Sequence, residues 1–311
     1  MSGDGDPAPP GDGDPRPGAA LPPRVSLLGA GVMGRNIARV FLRAGADVAL
    51  YSRSEATLAS ARAALAGEAL ERLTTTREVT GGDLVLESVP ERLELKRELL
   101  AQAEAAMPDD AILATNTSSL TLDELAADLR RPERFLGLHW FNPAHLVPLV
   151  EVVPASATDP AVVERSVALL EAAGKRPLRL GRAVPGFAAN RLQYALIREA
   201  LQLLQDGVLD AEGIDLVLTE CLGPRWAVVG PLRSTDLAGV ETAIAVARQL
   251  FPELATAAEP QRALLELAEQ GRLGVRSGQG FHAYPDPRAA EARRDAGLAA
   301  VLQSQKPSER R

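Results

Sequence analysis

The chain has 311 residues, of which 46% are hydrophobic, a proportion typical of soluble globular proteins with room for two domains. Its formal net charge of -7 at pH 7 argues against nonspecific nucleic-acid binding, which needs clustered lysine and arginine to neutralise phosphates. Cys221 is the only cysteine, so the sequence excludes an intramolecular disulfide and a cysteine-based metal cluster. We therefore expect small molecules or proteins as partners, no nucleic acid and no metal site.

The two ends of the chain differ in composition from its middle. Residues 1–23 are rich in Gly, Pro and Asp and lack the apolar segment of a signal sequence, which predicts a disordered tail. Residues 288–311 are rich in Ala and Arg, which predicts a surface helix that frays into a polar C-terminal tail. The sequence shows no long uncharged apolar run of the kind a membrane span needs, so we expect a cytoplasmic protein without membrane contact.

Residues 25–54 read as a strand, a glycine-rich turn, a helix and a second strand. The apolar run from Val25 to Leu28 is typical of a buried parallel strand and leads directly into the sequence GAGVMG at 29–34. In a dinucleotide-binding turn the first glycine allows a tight turn, the second admits a pyrophosphate, and the third lets the helix pack against the strand. The cofactor-binding residues predicted here are Gly29, Gly31, Val32, Met33 and Gly34.

The end of the second predicted strand distinguishes between cofactors. An NAD-binding domain usually places an acidic residue there, about 20 positions after the glycines, to bind the ribose hydroxyls. This chain has Ser52, Arg53 and Ser54 instead. No carboxylate would repel a 2′-phosphate at this place, and a guanidinium is available to bind one. The sequence therefore favours NADP over NAD, with a solvated Arg53 and bound NAD as the alternative.

Strands and helices continue to alternate downstream, which predicts a doubly wound, mainly parallel α/β sheet of the Rossmann type over residues 24–185. After residue 186 helical Leu and Ala periodicity replaces the strand signals, so we expect an all-helical domain over residues 186–287 for substrate and subunit contact. The further elements predicted for the first domain are helices at 55–72, 91–107 and 160–173 and strands at 83–89, 111–114 and 176–180.

Polar residues cluster where ligands bind in such sheets, at the carboxyl ends of the strands. Glu91 and Asn116 follow two of these strands, and we expect both near the cofactor. Residues 135–153 contain two apolar runs joined by a turn, a reversal that brings Glu151 beside His139. An imidazole held by a carboxylate suits proton transfer, whereas the alternative is a histidine satisfied in an apolar core. A long helix from Phe187 would place Asn190 near the cleft.

Six segments in order carry a resemblance to a known family. The chain resembles the L-3-hydroxyacyl-CoA dehydrogenases, including the 3-hydroxybutyryl-CoA enzymes, over roughly residues 24–284. This resemblance implies reversible hydride transfer between a nicotinamide and C3 of a 3-hydroxyacyl thioester. The matching segments are GAGVMG at 29–34, ESVPERLELK at 87–96, NTSSL at 116–120, GLHWFNPAHLVPLVEVV at 137–153, VPGFAANRL at 184–192 and RLGVRSGQGFHAY at 272–284.

The resemblance also assigns roles to individual residues. His139 matches the catalytic acid and base, and Glu151 matches its carboxylate partner. Ser118 and Asn190 match residues that bind the substrate oxygen and hold the reacting carbon against the nicotinamide. Glu91 and Lys96 match positions near the cofactor, with Lys96 also assisting the acyl-CoA.

Two departures from the family pattern bear on specificity. The acidic residue usual at position 52 is absent, and the segment at 223–231, GPRWAVVGP, lacks the Met-Gly-Pro pattern of acyl-CoA members. That segment is closer to Arg-aromatic patterns in dehydrogenases of free hydroxy acids such as L-carnitine and L-gulonate. Arg225 would then pair with a substrate carboxylate, whereas the alternative is that Arg225 and Trp226 pack at a subunit interface. We expect His145 and His282 to be surface or packing residues.

The sequence as a whole predicts an NADP-preferring dehydrogenase of a 3-hydroxyacyl thioester, attached to CoA or to an acyl carrier. A homodimer formed through the helical domain is expected with it. The first alternative is an NAD(P)-dependent dehydrogenase of a free 3-hydroxy acid, similar to the carnitine and gulonate enzymes. The second is a non-catalytic nucleotide-binding or crystallin-like protein, against which the set of His139, Glu151, Ser118 and Asn190 argues.

Overall fold

The structure, a computed structural model, describes residues 24–305. The tail predicted at residues 1–23 and the last residues of the predicted C-terminal tail lie outside this range. The chain separates into two compact units, with the division between Ala188 and Ala189. No helix of residues 24–305 is long and apolar enough to cross a bilayer.

The first unit is built on an eight-stranded sheet with the order β3-β2-β1-β4-β5-β6-β7-β8. All neighbouring strands pair in parallel except β6 and β7, which are antiparallel. The predicted doubly wound, mainly parallel α/β fold is confirmed. The strands are β1 (Arg24–Leu28), β2 (Asp47–Tyr51), β3 (Leu73–Thr76), β4 (Leu84–Glu87), β5 (Ile112–Thr115), β6 (Phe135–Trp140), β7 (Leu149–Pro154) and β8 (Arg176–Arg179), and the helices are α1 (Val32–Arg43), α2 (Glu55–Ala64), α3 (Leu93–Ala106), α4 (Leu122–Ala126) and α5 (Pro160–Ala172).

Each face of the sheet has its own hydrophobic core, because helices cover both faces. Successive residues of a strand point to opposite faces, so Leu27 and Leu28 of β1 join different cores. Leu27 shares its core with Phe41 of α1, and Leu28 shares the other with Leu100 of α3. Burial on both faces explains why β1 reads as a continuous apolar run.

The segment after α2 differs from the prediction of one helix over residues 55–72. The α2 helix ends at Ala64, and Gly67 takes a φ of 94°, which a helix cannot accommodate. The carboxylate of Glu68 then binds Arg39 and Arg43 of α1, which anchors the turn. The short strand β3 follows and was not predicted, since its sequence LTTT carries little apolar signal.

The second unit is helical, as the periodicity predicted. Its long first helix, α6, packs against α11 and against the segment that precedes α11. In that segment the amide of Ala255 donates a hydrogen bond to the carboxylate of Glu199 on α6 at 2.7 Å. A π-helical turn at Leu218–Leu222 leads into α8. The helices are α6 (Ala189–Gln205), α7 (Ala211–Val217), α8 (Gly223–Val229), α9 (Pro231–Ala238), α10 (Val240–Leu250), α11 (Arg262–Glu269) and α12 (Pro287–Ser304).

A buried lysine supports the connection between β6 and β7. Lys175, just before β8, donates from Nζ to the carbonyl oxygens of Ala144 at 2.7 Å and Val147 at 2.9 Å. Its ammonium also lies 5.5 Å from the centre of the Trp140 ring. Burial lowers the pKa of Lys175 to about 8. No carboxylate of residues 24–305 forms an ion pair with Lys175, so two carbonyl oxygens and an aromatic ring stabilise its positive charge.

Replacing Lys175 with methionine should change how stability depends on pH. The pKa of Lys175 is about 8 in the folded chain and about 10.4 in the unfolded chain. The unfolded state therefore binds more protons between these values, and stability rises with pH in that window. In urea unfolding at pH 7, 8.5 and 10, the wild type should gain about 1–3 kcal/mol relative to Lys175→Met. The exposed-residue control Arg182→Met should follow the wild type, and an identical pH slope for Lys175→Met would contradict this assignment.

Candidate active site

Two glycines of the turn between β1 and α1 are required by protein packing. Gly29 has a φ of 124°, and a Cβ added there would come within 2.5 Å of the Ser88 carbonyl oxygen. A Cβ on Gly34 would lie 1.7 Å from the carbonyl oxygen of Gly29. Because both obstacles are backbone atoms, any side chain at these positions would displace the turn from the sheet.

Gly31 differs from the other two, since the space beside it is open. A Cβ on Gly31 would meet no protein atom within 4 Å. Gly31 is also the N-cap of α1, where no side chain of the described residues caps the helix and no acidic residue occupies the first turn. Val32 is 50% exposed beside it. Uncapped amides at a helix N-terminus favour an anion, so the turn fits the pyrophosphate of a dinucleotide.

The residues after β2 lie at the same edge of the sheet. Ser54 caps α2 by accepting from the amide of Thr57 at 3.3 Å, and the hydroxyl of Ser52 accepts from the amide of Ser54 at 3.2 Å. Arg53 is exposed, and its guanidinium has no hydrogen-bond or ion-pair partner among residues 24–305. The two serines therefore stabilise the turn, and the guanidinium of Arg53 is left accessible to a ligand.

A second arginine follows the neighbouring strand. The amide of Ser52 donates to the carbonyl oxygen of Thr76 at 3.1 Å, which continues the pairing of β2 with β3. Arg77 comes next and is exposed, as Arg53 is. Sequence reasoning missed Arg77 because it missed β3. Had a strand been predicted at residues 73–76, Arg53 and Arg77 would both have been expected at the carboxyl edge of the sheet.

His139 and Glu151 lie directly opposite each other in the antiparallel pair of β6 and β7. The imidazole Nδ1 is 2.7 Å from Oε2 of Glu151, and the two residues are 4% and 0% exposed. An ionised carboxylate only accepts hydrogen bonds, so Nδ1 carries a hydrogen and Nε2 is left as the acceptor. The structure thus brings His139 and Glu151 together as the sequence predicted, and leaves Nε2 as the hydrogen-bond acceptor of the ring.

Residues at the end of the first unit hold this dyad in place. The amide of Ala188 donates to Oε1 of Glu151 at 3.0 Å. The ring of Phe187 meets the imidazole edge-on at 5.4 Å between centres, and Phe141 does so at 4.6 Å. Phe187 is buried and has a φ of 50°, unusual for a residue with a side chain. Sequence reasoning missed Phe187 and Ala188, although the Pro-Gly pair before a buried aromatic residue is a signal for such a turn.

The loop after β5 is held by a carboxylate from the loop after β4. Oε1 of Glu91 accepts from the amides of Ser118 at 3.0 Å and Ser119 at 3.2 Å, and from the hydroxyl of Thr117. Burial raises the pKa of Glu91, but hydrogen bonds from Thr117 and Lys96 outweigh it and hold the pKa at about 2. Ser118 is exposed, and its hydroxyl forms no hydrogen bond with residues 24–305.

Asn116 connects the ends of three strands. Its Oδ1 accepts from the amide of Trp140 at 2.8 Å, next to His139, and its Nδ2 donates to the hydroxyl of Ser88 at 3.4 Å. Its own amide donates to the carbonyl oxygen of Glu87 at 2.7 Å. Lys96 lies deeper in the same region and is 1% exposed. The structure therefore brings the dyad strand and the Ser118 loop to one edge of the sheet.

The remaining predicted site residues lie in the second unit. Asn190 is in the first turn of α6 and is half-buried. Arg225 is exposed on α8, with Nη1 3.9 Å from the sulfur of Cys221. His282 pairs with Asp215 at 2.9 Å, while His145 is half-buried in the connection between β6 and β7. Residues 24–305 contain no group of three or more His, Cys, Asp or Glu arranged to hold a metal ion.

Several known proteins are similar to this chain along most of its length. A 5-formyl-3-hydroxy-2-methylpyridine 4-carboxylate 5-dehydrogenase of Mesorhizobium japonicum is 32% identical over 297 residues, covering 89% of this chain and 96% of that protein. A crystal structure of such an enzyme, described as an NAD+ dependent dismutase, has a TM-score of 0.88 at 30% identity and covers 92% of this chain and 99% of that one.

Two further relatives are named for different substrates. An L-carnitine dehydrogenase of Streptomyces griseus is 39% identical over 239 residues, which is 71% of each chain. A 3-hydroxybutyryl-CoA dehydrogenase of Mycobacterium tuberculosis is 34% identical over 284 residues, 84% of this chain and 98% of that protein.

Family profiles match both units of the chain. Residues 24–80 and 66–183 match the NAD binding domain of 3-hydroxyacyl-CoA dehydrogenase, and residues 186–284 match its C-terminal domain. With the dinucleotide-binding turn and the His139–Glu151 dyad in place, the chain belongs to the 3-hydroxyacyl-CoA dehydrogenase family.

Proposed function

We propose that this chain is an NAD(P)-dependent dehydrogenase that interconverts a 3-hydroxyacyl thioester and its 3-oxoacyl form. The buried His139–Glu151 pair at the carboxyl edge of the sheet carries the proposal, because it presents an imidazole acceptor where a substrate hydroxyl would bind. Membership of the family supports the reaction type. The relative named 3-hydroxybutyryl-CoA dehydrogenase supports the thioester.

The dyad would move the proton of the reaction. In the oxidation direction, Nε2 of His139 takes the hydroxyl proton while the C3 hydrogen leaves as hydride, so the alcohol becomes a carbonyl. Glu151 stabilises the imidazolium through its 2.7 Å contact with Nδ1, and burial strengthens this attraction. When bound, the nicotinamide dinucleotide accepts the hydride in oxidation and supplies it in reduction. In reduction, His139 returns the proton to the substrate oxygen.

Two polar residues would orient the substrate. The hydroxyl of Ser118 is exposed while its amide is held by Glu91, so it can donate to the oxygen at C3 from a fixed loop. Asn190, in the first turn of α6, is proposed for the same role because it matches the family residue that binds the substrate oxygen. A donor placed at the oxygen on which charge develops stabilises the transition state as well as the substrate.

NADP is the proposed cofactor, because the edge of the sheet beyond β2 is cationic. Arg53 and Arg77 are both exposed at the ends of adjacent strands, and Ser52 replaces the acid that would repel a 2′-phosphate. NADP would favour reduction of the 3-oxoacyl group as the physiological direction.

A free hydroxy acid is the second candidate substrate. Two relatives are named for 5-formyl-3-hydroxy-2-methylpyridine 4-carboxylate and L-carnitine, small molecules that carry a free carboxylate. The structural similarity to the first kind of enzyme reaches a TM-score of 0.88. Arg225 supplies an exposed guanidinium that pairs with no carboxylate among residues 24–305. A non-catalytic, crystallin-like role is disfavoured, since it would not need a buried imidazole–carboxylate pair.

The helical unit is proposed as the substrate and dimerisation domain, with a second copy of the chain as its partner. Large apolar side chains are exposed along it to an extent unusual for a monomer. Self-association would bury them symmetrically. The most exposed are Leu192 at 70%, Val228 at 75%, Leu232 at 81%, Leu237 at 76% and Phe251 at 70%.

Replacing His139 with glutamine should lower kcat by about 100-fold to 10,000-fold, since the amide cannot take the proton. Glu151→Gln should cause a smaller loss, because the imidazole remains but loses its anionic partner. Acetoacetyl-CoA reduction, followed by loss of nicotinamide absorbance, measures both. Arg62→Gln on α2 serves as a surface control. Full turnover by His139→Gln would show that the proton-transfer assignment is wrong.

The cofactor proposal predicts a higher kcat/KM with NADPH than with NADH in the same assay. Arg53→Ala and Arg77→Ala should each weaken NADPH binding by about 10-fold to 100-fold, the value of a hydrogen bond between charged groups. NADH binding should stay unchanged in both variants. Arg62→Ala, which changes an exposed arginine in the last turn of α2, is the matched control. Equal or better use of NADH by the wild type would contradict the NADP preference alone.

The substrate class is decided by comparing acetoacetyl-CoA with free hydroxy acids, including L-carnitine, under identical conditions. If the thioester is the substrate, the kcat/KM of Arg225→Met for acetoacetyl-CoA should stay within about twofold of the wild-type value, because Arg225 would then have no partner on the substrate. If a free acid is the substrate, Arg225→Met should abolish its turnover because the carboxylate loses its partner. Arg233→Met on α9 is the matched control in either case.

Sedimentation velocity should give a mass near twice the 32.9 kDa of the chain. Leu232→Glu and Phe251→Glu should shift it toward monomer, because a charge would be buried in the contact. Leu178→Glu, at a half-exposed apolar position in the first unit, is the control. A wild type that remains monomeric at micromolar concentration would refute the dimer.

A further inference from the structure

Two phenylalanine rings contact the imidazole of His139. The ring of Phe141 lies 4.6 Å from the imidazole between centres, with 66° between the ring planes, and the ring of Phe187 lies 5.4 Å from it, at 63°. Both contacts are edge-to-face, a geometry that aromatic rings favour over a flat stack. His139 and Phe187 are each 4% exposed. Aromatic packing therefore acts on the imidazole in addition to its hydrogen bond with Glu151.

The hydrogen bond to Glu151 fixes one atom of the imidazole but not the plane of the ring. Nδ1 lies 2.7 Å from Oε2 of Glu151, and such a bond keeps most of its strength over about 30° of misalignment. The torsion that turns a histidine ring is itself broad. The lone pair of Nε2 lies in the ring plane, so its direction changes when the ring pivots. Catalytic groups need an orientation held to about 10–20°, which this hydrogen bond alone does not supply.

Phe187 reaches the imidazole through a backbone conformation that residues with side chains rarely adopt. Its φ is 50°, in the left-handed region, where glycine would be unstrained. The amide of Phe187 donates to the carbonyl oxygen of Val184 at 2.9 Å, and the amide of Ala188 donates to Oε1 of Glu151 at 3.0 Å. One turn thus brings a ring to the imidazole and an amide to its carboxylate partner. A buried phenyl ring at a strained position points to a role in the site.

Phe141 comes from the chain segment that carries His139. It follows directly after β6, two residues beyond the histidine. The residue between them, Trp140, is 2% exposed, and its amide donates to Oδ1 of Asn116 at 2.8 Å. The backbone next to Phe141 is therefore held by the loop after β5, whereas that of Phe187 is held by the turn before α6. Different parts of the fold set the positions of the two rings.

We propose that Phe141 and Phe187 are positioning residues that hold the plane of the His139 ring and so aim Nε2 at the substrate hydroxyl. This inference rests on the proposed role of the His139–Glu151 dyad in proton transfer. Neither phenyl ring takes or gives a proton. Loss of either ring should therefore slow the chemical step and leave the binding of cofactor and substrate unchanged.

The first test replaces each phenylalanine with leucine, which keeps an apolar side chain but removes the ring. Phe141→Leu and Phe187→Leu should each lower kcat for acetoacetyl-CoA reduction by about 10-fold to 100-fold, the effect of a displacement near 1 Å at a reacting group. The KM for acetoacetyl-CoA and the Kd of the nicotinamide cofactor should stay within about twofold of the wild-type values. Phe135→Leu is the matched control, because Phe135 is a fully buried phenylalanine at the start of β6, and it should keep the wild-type kcat within about twofold.

The second test observes the imidazole directly and needs no substrate. In nitrogen NMR spectra of the full chain labelled at histidine, wild-type His139 should show one fixed tautomer with its hydrogen on Nδ1. Phe141→Leu and Phe187→Leu should broaden or average these ring signals, whereas Phe135→Leu should reproduce the wild-type spectrum. His139→Gln identifies the resonances, since the chain has three histidines.

The outcomes separate this inference from the function on which it rests. A loss of kcat in Phe135→Leu equal to that in the other two variants, or wild-type ring signals in both of those variants, would overturn the positioning role and leave the dehydrogenase proposal intact. Full turnover by His139→Gln would overturn the proton-transfer role and the positioning role together. Should Phe187→Leu fail to fold, Phe141→Leu decides the inference, because Phe141 is only half-buried.

Discussion

The antiparallel pairing of β6 with β7 is the constraint on which the candidate site depends. In this register His139 lies opposite Glu151, so their side chains share one face and meet at 2.7 Å. The reversal interrupts an otherwise parallel sheet, and the parallel pairing of β6 with β5 leaves the end of β6 at the same edge as the ends of β4 and β5. Asn116 holds that junction through the amide of Trp140, one residue after the imidazole. The His139 imidazole and the Ser118 loop therefore lie at the same edge of the sheet.

Burial strengthens the interactions among the polar groups at this edge of the sheet. A charge removed from water needs partners, and here each buried charge has them: Glu151 has His139 and the Ala188 amide, and Lys96 has two carboxylates. Lys175 has two carbonyl oxygens as partners but no carboxylate among residues 24–305, and burial lowers its pKa. Partnered charges in a medium of low polarity hold their neighbours in a fixed geometry, a requirement for orienting a substrate.

The two units differ in the kind of surface that they expose. The first unit buries its apolar residues on both faces of the sheet and exposes a cationic edge at Arg53 and Arg77. The second unit exposes large apolar side chains such as Leu232 and Phe251, and monomeric soluble proteins rarely expose so much apolar surface. The candidate site at the edge of the first unit and the exposed apolar side chains of the second agree with the proposal of a dehydrogenase whose subunits associate.

The amino-acid sequence alone determined the fold class, the glycine turn and the reversal that pairs His139 with Glu151. These follow from patterns within a few residues, because apolar alternation and glycine placement act on the local backbone. Tertiary structure alone decided the end of α2 at Ala64, the presence of β3 with Arg77, and the packing of Phe187 on the imidazole. It also decided that Lys96 faces Glu87 and Glu91. Such contacts join residues brought together only when the sheet assembles, and no local pattern records them.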